Sequence, residues 1–157
     1  MAAQRETDMT KMAMLAAILA LTFTNQAQAE LARKESPYPM SETIERFEGV
    51  LKERGLTVFS KIDHAAGARQ INQDLRPTVL IIFGSPAVGT PLIQAEQTMG
   101  LSLPLKALIW QDAAGKIWLG YDAPASVAAE RGVAKDHPVI GRMTGALAGI
   151  VDAVVMK

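Results

Sequence analysis

The residues best suited to chemistry are Asp63 and His64, because the chain holds only two histidines and no cysteine. They follow a predicted strand, where a histidine can exchange protons near neutral pH and a neighbouring carboxylate can assist it. His64 is therefore a candidate general acid or base, and also a candidate metal ligand. Two histidines cannot build a three-histidine site, so a metal would need carboxylates, methionine or a second subunit. The alternative is that Asp63 caps a helix and His64 is half-buried. This alternative is favoured because His64 has no partner at a suitable spacing in the sequence.

A second candidate is the turn that runs from Gly84 to Thr90. It follows a buried strand and precedes a helix, where backbone N–H groups gather around a ligand, so Gly84, Ser85, Gly89 and Thr90 are candidate binding residues. The turn lacks the end of a nucleotide-binding P-loop and the G-x-S-x-G elbow of hydrolases, so Ser85 is a poor nucleophile. The structural alternative is a tight turn with Ser85 as the helix cap and Pro86 in the first helical position.

Arg76 and Tyr121 complete the candidate binding residues. Arg76 is a charge out of pattern before a proline, and Tyr121 belongs with Trp110 and Trp118 around a predicted hairpin. These aromatic residues could line a ligand pocket, although core packing is the commoner reason for such a cluster. A pocket that joins His64, Arg76 and Ser85 would favour binding or catalysis, whereas a flat surface there would favour a structural role.

Alternating helices and strands must position these residues. The first half of the pattern predicts a short strand within residues 30–39, a helix capped by Ser41, a strand from Leu56 to Asp63 and a helix to about Gln73. In the strand from Leu56 to Asp63, we expect Leu56, Val58, Ser60 and Ile62 on one face. The second half predicts a strand from Thr78 to Phe83, a helix from Pro91 to Met99, a hairpin of Leu105–Trp110 with Lys116–Tyr121, and a helix from Pro124 to Arg131. Thr78 to Phe83 is apolar at nearly every position, so we expect a central strand that is covered on both faces. The fold class is therefore α+β, with a single sheet and helices mainly on one face.

The last predicted helix, residues 138–156, carries glycine at every fourth position, at Gly141, Gly145 and Gly149. Such spacing permits close backbone approach, which favours packing on the domain's own sheet, with a subunit contact as the alternative. Arg142 and Asp152 interrupt the helix, and together with its length they argue against a membrane span.

Residues 1–29 read as a secretory signal peptide. Lys11 supplies the basic start, residues 12–23 the apolar core, and Ala27-Gln28-Ala29 the cleavage site, while Met9 is an alternative start. We expect export, to the periplasm of a Gram-negative bacterium, with no membrane contact after cleavage. Residues 30–157 then form one domain. The 16 basic and 16 acidic residues of the chain balance, which argues against nucleic acid as a partner.

Several segments in order resemble the family catalogued as domain of unknown function 302, over about residues 33–132. The resemblance rests on Gly55–Phe59, Ile62–Ala68, Leu75–Thr78, Ile82–Pro86 with Gly89–Leu92, Leu103–Lys106, and Gly115–Trp118 with Tyr121. It implies a TATA-box-binding-protein-like α+β fold, β-α-β(4)-α in outline, and a homodimer. The family's usual turn reads Phe-Gly-Asn-Pro-Lys, and here Ser85 and Ala87 replace the asparagine and the lysine.

Three functions stay open at this point. The first is an exported dimeric domain that binds a small ligand, metal or haem near His64 and the 84–92 loop. The second is an enzyme that uses His64 as acid and base, and the third is an interaction protein paired through the hairpin or the final helix. Binding ranks first because the inventory of catalytic residues is thin. The sequence identifies no particular cofactor.

Overall fold

The computed structural model describes residues 30–134 and 136–157, so the expected signal peptide lies outside the described residues. The elements, in chain order, are β1 (Leu31–Ser36), α1 (Met40–Glu53), β2 (Thr57–Asp63), α2 (His64–Gln70), β3 (Thr78–Gly84), α3 (Pro86–Ala95), a 3-10 helix (Gln97–Leu101), β4 (Leu105–Gln111), β5 (Ile117–Asp122), α4 (Pro124–Glu130) and α5 (Pro138–Val155). This is the predicted α+β class, with additional short helices inserted in the outline.

The five strands form one antiparallel sheet in the order β1-β5-β4-β3-β2. The predicted hairpin is present as β4 and β5, in which Trp110 pairs with Trp118. Strand β2 lies at one edge of the sheet and β1 at the other. The two candidate segments, Asp63–His64 and Gly84–Ser85, lie at opposite ends of the ladder that β2 forms with β3.

The core lies between one face of the sheet and the helices. Val79, Ile81 and Phe83 of β3 alternate inward, and helices α1 and α5 pack on each other beside them. Phe47 of α1 meets Phe83 edge-on, with ring centroids 5.3 Å apart. The apolar stripe of α5 is buried as its spacing predicts, because a helix on a sheet buries one side.

The opposite face of the sheet has no helix over it in the described residues, so the expectation that β3 is covered on both sides is wrong. Apolar side chains of four neighbouring strands lie on this surface, which we call the open face: Ile62, Leu80, Ile82, Leu108, Trp110 and Trp118. All but Ile62 are partly buried, and Ile62 is exposed. The continuous apolar run of β3 therefore reflects a sheet whose second face is also apolar, not a second helical layer.

The predicted alternation along β2 is also wrong. The pairing register with β3 shifts between Val58 and Ser60, which marks a β-bulge. Val58 pairs with the inward-facing Phe83, whereas Ser60 and Ile62 pair with Ile82 and Leu80 of the open face. A bulge adds one residue to a strand, so every side chain beyond it changes face.

Two predicted helix features differ in the structure. Helix α1 begins at Met40 with Pro39 as its cap residue, so Ser41 lies inside the first turn and does not cap it. The helix expected from Pro91 already begins at Pro86, because proline in the first turn needs no hydrogen-bond partner for its missing N–H.

The glycines of α5 do not pack on the sheet. Gly141 and Gly145 are exposed, with no atom within 4 Å of the position of an added Cβ, and Gly149 lies against the Arg54 guanidinium. The preferred expectation of close packing on the sheet is therefore wrong, since the buried stripe occupies the other side of the helix.

Candidate functional site

Asp63 and His64 lie at the junction of β2 and α2. Asp63 Oδ1 accepts a hydrogen bond from the backbone N–H of Ala66 at 2.9 Å, so the carboxylate caps α2. Its other oxygen lies 4.0 Å from a guanidinium nitrogen of Arg69, and His64 is exposed. The local sequence produces this geometry because an aspartate before a short helix satisfies one of the free N–H groups of its first turn.

An open groove of about 490 Å³ adjoins this junction and is lined partly by Asp63 and Arg69. Its floor is apolar, with Ile44, Ala65 and Val79 among the lining residues. His64 is not among them. The Asp63 carboxylate therefore faces a shallow surface, where water screens its charge.

Arg76 and Tyr121 occupy two further places. The Arg76 guanidinium donates to the carbonyl oxygen of Gln111 at 3.2 Å, beside the hairpin. Tyr121 pairs with Ala32 of β1 and is half-buried. Burial, and then the nearby Asp152 carboxylate, raise the pKa of the Tyr121 hydroxyl because both disfavour its ionised form.

The Gly84–Thr90 turn leads from the buried end of β3 into α3. Ser85 has an extended backbone, with φ −144° and ψ 137°, and occupies the cap position, but its hydroxyl makes no capping hydrogen bond. The turn forms one wall of a cavity of about 200 Å³, which we call the turn cavity. The four predicted turn residues Gly84, Ser85, Gly89 and Thr90 all line it.

The rest of the turn cavity is apolar and comes from distant parts of the chain. Its lining includes Leu56 before β2 and Phe59 in it, Leu103 before β4 and Leu105 in it, and Met143 of α5. Phe59 is the residue of the bulge and is 53% exposed, so its ring stands at the edge of the cavity. Sequence reasoning missed these side chains because each also fits an ordinary core pattern. The bulge at Phe59 is visible only in the pairing register with β3, so no local signal in the sequence would have found this residue.

The structure brings the four turn residues together but leaves His64, Arg76 and Tyr121 apart from them. In the β2–β3 ladder Thr57 pairs with Gly84 and Asp63 pairs with Val79, so His64 and Ser85 lie beyond opposite ends. Seven residues of strand separate these ends by about 20 Å. Arg76 lies towards the Asp63 end, and Tyr121 lies on β5. No single pocket joins His64, Arg76 and Ser85.

Metal-ligating side chains are also dispersed. Within residues 30–134 and 136–157, no three side chains of His, Cys, Asp or Glu come close enough together to hold a metal ion. His137, the second histidine, accepts from the backbone N–H of Val139 through Nδ1 at 3.3 Å and so caps α5. The predicted role of His64 as a metal ligand stays a prediction.

Residues 32–153 match the family described as domain of unknown function DUF302. This chain belongs to that family. The crystal structure of an uncharacterised conserved DUF302 protein from Bacillus stearothermophilus is similar with a TM-score of 0.71, covering 79% of this chain and 97% of that one at 21% identity. At that identity, the likeness concerns the fold alone.

Proteins of Brucella are more similar in sequence. A protein named fluoride-specific ion channel FluC 1 from Brucella suis is 43% identical over 117 residues, which cover 73% of this chain and 46% of that protein. Fluoride-specific ion channel FluC 2 from Brucella melitensis is also 43% identical, over 43% of its length. This chain thus spans less than half the length of these relatives.

Proposed function

We propose that this protein is an exported binding domain that holds a small, largely apolar ligand in the turn cavity. The observation that carries the proposal is the cavity itself. Four segments far apart in sequence converge on it, and its walls are apolar apart from Ser85 and Thr90. Sites for small molecules are typically concave and apolar with a few polar groups at fixed places.

The packing around the turn supports this proposal. Gly84 leaves room where an added Cβ would lie 3.6 Å from Pro104 and 3.8 Å from Phe59, and Gly89 leaves room next to Leu103 at 3.7 Å. All three distances are ordinary van der Waals contacts, so each glycine widens the cavity and is not needed to avoid a clash. The exposed Phe59 ring adds apolar surface that a ligand would cover.

The binding proposal is tested with N-phenyl-1-naphthylamine, a neutral apolar dye whose fluorescence rises in apolar sites. The purified protein should bind the dye saturably. Gly89→Leu places an isobutyl group in the cavity, and we expect it to weaken dye binding at least about tenfold because the dye and the side chain compete for one space.

Gly67→Leu is the matched control. Gly67 is also a helical glycine, but it lies in α2 at the other end of the ladder with no atom within 4 Å of an added Cβ. Circular dichroism should show both variants folded. Equal dye binding by wild type and folded Gly89→Leu would refute the proposed site.

Export is the second part of the proposal and rests on the composition of residues 1–29, with their basic start, apolar core and small-residue cleavage site. Expression in a Gram-negative host, followed by N-terminal sequencing of the periplasmic protein, should give Glu30 as the first residue. An intact Met1 or Met9 on protein confined to the cytoplasm would contradict it.

A homodimer is a further candidate property, favoured by the open face. Five strands at about 4.8 Å spacing give this face a width of roughly 20 Å, so two copies packed face to face would bury on the order of 1,000 Å². Trp110 and Trp118 stack there with ring centroids 6.4 Å apart, and the Arg33 guanidinium lies 4.8 Å from the Trp118 ring. Aromatic residues and arginine are enriched at protein interfaces.

Light scattering after gel filtration tests the dimer. We expect the wild type to run as a dimer and Leu108→Lys, in the middle of the open face, to run as a monomer, because a charge would be buried without a partner. Ile71→Lys is the control, since Ile71 is 69% exposed and lies outside the sheet. A wild type that is monomeric at all concentrations would contradict the proposal.

Channel activity, the property in the names of the Brucella relatives, is not proposed for this chain. In the described residues one helix, Pro138–Val155, is long and apolar enough to cross a membrane, and its buried stripe forms part of the domain core. The shared region is less than half of those proteins.

A further inference from the structure

A second cavity, of about 210 Å³, lies next to the turn cavity between α3, α5 and the sheet, and we call it the α5 cavity. The two share four lining residues: Leu56, Val88, Leu105 and Met143. Ala146, Leu147 and Ile150 of α5 complete much of the remaining wall. A space lined by residues of α3, α5 and the strands β3 and β4 therefore continues from the turn along α5.

One charge marks this otherwise apolar space. Of the described residues that line the α5 cavity, Arg142 alone is charged, and it is exposed. Arg142 takes part in none of the ion pairs within residues 30–134 and 136–157. Its guanidinium is therefore available to an anion at the mouth of the cavity.

A second guanidinium lies on the same side of α5. Arg54 donates to the carbonyl oxygens of Ala146 at 3.4 Å and Gly149 at 2.9 Å, and it forms no ion pair in the described part of the chain. Ala146 lies one turn beyond Arg142, about 6 Å along the helix axis. Gly149 permits this approach, since an added Cβ would come within 3.3 Å of the Arg54 nitrogen. One guanidinium therefore lines the α5 cavity, and a second is bonded to the backbone of Ala146, which also lines it.

The partition between the two cavities is formed in part by a flexible side chain. Met143 lines both, and methionine adapts its shape more readily than branched residues because its chain is unbranched. The two cavities therefore meet at a side chain that can change its shape, and Arg142 lines the second of them.

A third cavity, of about 260 Å³, is a less suitable place for an anion. It also contacts Leu105 and Met143, but its charged lining residues are Lys106, Asp122 and Glu130. The two carboxylates oppose the single lysine, whose ammonium already donates to the carbonyl oxygens of Ser102 at 3.2 Å and Pro104 at 3.3 Å.

We propose that the ligand is a single-chain amphiphile with an anionic head group, whose tail fills the turn cavity and whose head pairs with Arg142, assisted by Arg54. The inference rests on the proposed function, because it assigns the ligand class of the same site. The charge at one end and the apolar lining at the other match the two parts of such a molecule. A carboxylate matches a guanidinium in geometry as well as charge, so a fatty-acid-like head satisfies the site.

Two probes of equal chain length separate the head from the tail: decanoate, which is anionic, and 1-decanol, which is neutral. Each is titrated against the purified protein with N-phenyl-1-naphthylamine bound, and its affinity is read from loss of fluorescence. We expect decanoate to displace the dye at lower concentration. Arg142→Gln should weaken decanoate binding about tenfold, the effect of one lost charge-assisted hydrogen bond, and leave 1-decanol within about twofold.

Arg69→Gln is the matched control, because Arg69 lines the open groove at the other end of the ladder. It should change neither affinity, and Arg142→Lys should restore part of the preference for decanoate. An unchanged ratio of the two affinities in folded Arg142→Gln would overturn this inference while leaving the apolar site intact. If folded Gly89→Leu binds the dye as tightly as the wild type does, the proposed function itself is overturned.

Discussion

The two ends of the β2–β3 ladder carry the two segments that the sequence singles out, and they differ in almost every physical respect. At the Asp63 end the polar groups satisfy one another: the carboxylate caps a helix, and His64 is exposed beside an open groove. At the Gly84 end the turn residues and apolar side chains from other parts of the chain line the turn cavity. The Asp63 end holds the predicted acid–base pair beside an open groove, whereas the Gly84 end holds the turn residues beside the apolar turn cavity.

This difference shows why reactive residue types are a weak guide to a binding site in this fold. Aspartate and histidine stand out in a sequence with few such groups, but capping alone accounts for Asp63. A cavity arises where side chains fail to fill a volume, and that depends on glycine at two positions and on where β2, β4 and α5 meet. Substitutions at the two ends measure this difference directly.

The largest contrast should appear in stability. Phe83 is fully buried against Phe47 near the Gly84 end, so Phe83→Ala should lower the free energy of unfolding by about 3–5 kcal/mol. Ile62, near the Asp63 end, is 39% exposed, and Ile62→Ala should cost less than about 1.5 kcal/mol. Urea denaturation followed by circular dichroism measures both, and equal losses would show that the two ends are equally packed.

The two helix caps provide the next contrast. Asp63→Ala removes the hydrogen bond to the Ala66 N–H and should lower the free energy of unfolding by about 1 kcal/mol. Ser85→Ala should cost less than about 0.5 kcal/mol because the Ser85 hydroxyl makes no capping hydrogen bond. A larger loss for Ser85→Ala than for Asp63→Ala would reverse the structural assignment of the caps.

Acid should weaken the hairpin loop, which lies towards the Asp63 end. The Trp118 indole donates to Asp112 Oδ2 at 2.8 Å, and this bond lowers the pKa of Asp112 below its ordinary value of 3.8, with help from the N–H groups of Lys116 and Ala114. A lowered pKa in the folded state stabilises the fold above pH 3.8, and this contribution is lost as the pH falls through the folded pKa.

Replacement of Asp112 isolates that contribution. Asp112→Asn should lower the urea midpoint at pH 7 and flatten the further loss of stability between pH 5 and pH 3, the range around that ordinary pKa. Urea titrations at the two pH values measure the change. If the wild type and the variant lose stability in parallel on acidification, the Trp118–Asp112 bond does not contribute to the acid response.

The smallest effect is expected at His64. Because its side chain is exposed and lines neither the turn cavity nor the adjoining groove, His64→Ala should change stability by less than about 0.5 kcal/mol and leave dye affinity within twofold. Native mass spectrometry of periplasmic protein before and after the substitution gives an independent reading. A bound metal or ligand lost with His64 would restore the role predicted for this residue as a ligand or catalyst.

The sequence alone determined the class of fold and most of its elements. Alternation of apolar residues predicted the strands and the stripe of α5, and glycine ended helices where it adopts positive φ, as at Gly55 and Gly132, because these signals are local. The turn at Gly84–Thr90 was also correctly singled out as a place where strand, turn and helix meet. What it encloses was not visible, since its other walls come from residues dozens of positions away.

Tertiary structure decided the rest. The bulge at Phe59 set which side chains of β2 face the helices. In the described residues no helix packs over the second face, so the apolar side chains of the open face stay uncovered. The antiparallel ladder separated His64 from Ser85, although the two residues are only 21 positions apart in sequence. These outcomes depend on strand register and on which helices pack where, and both are set by the sum of many long-range contacts, to which each residue contributes only a small part.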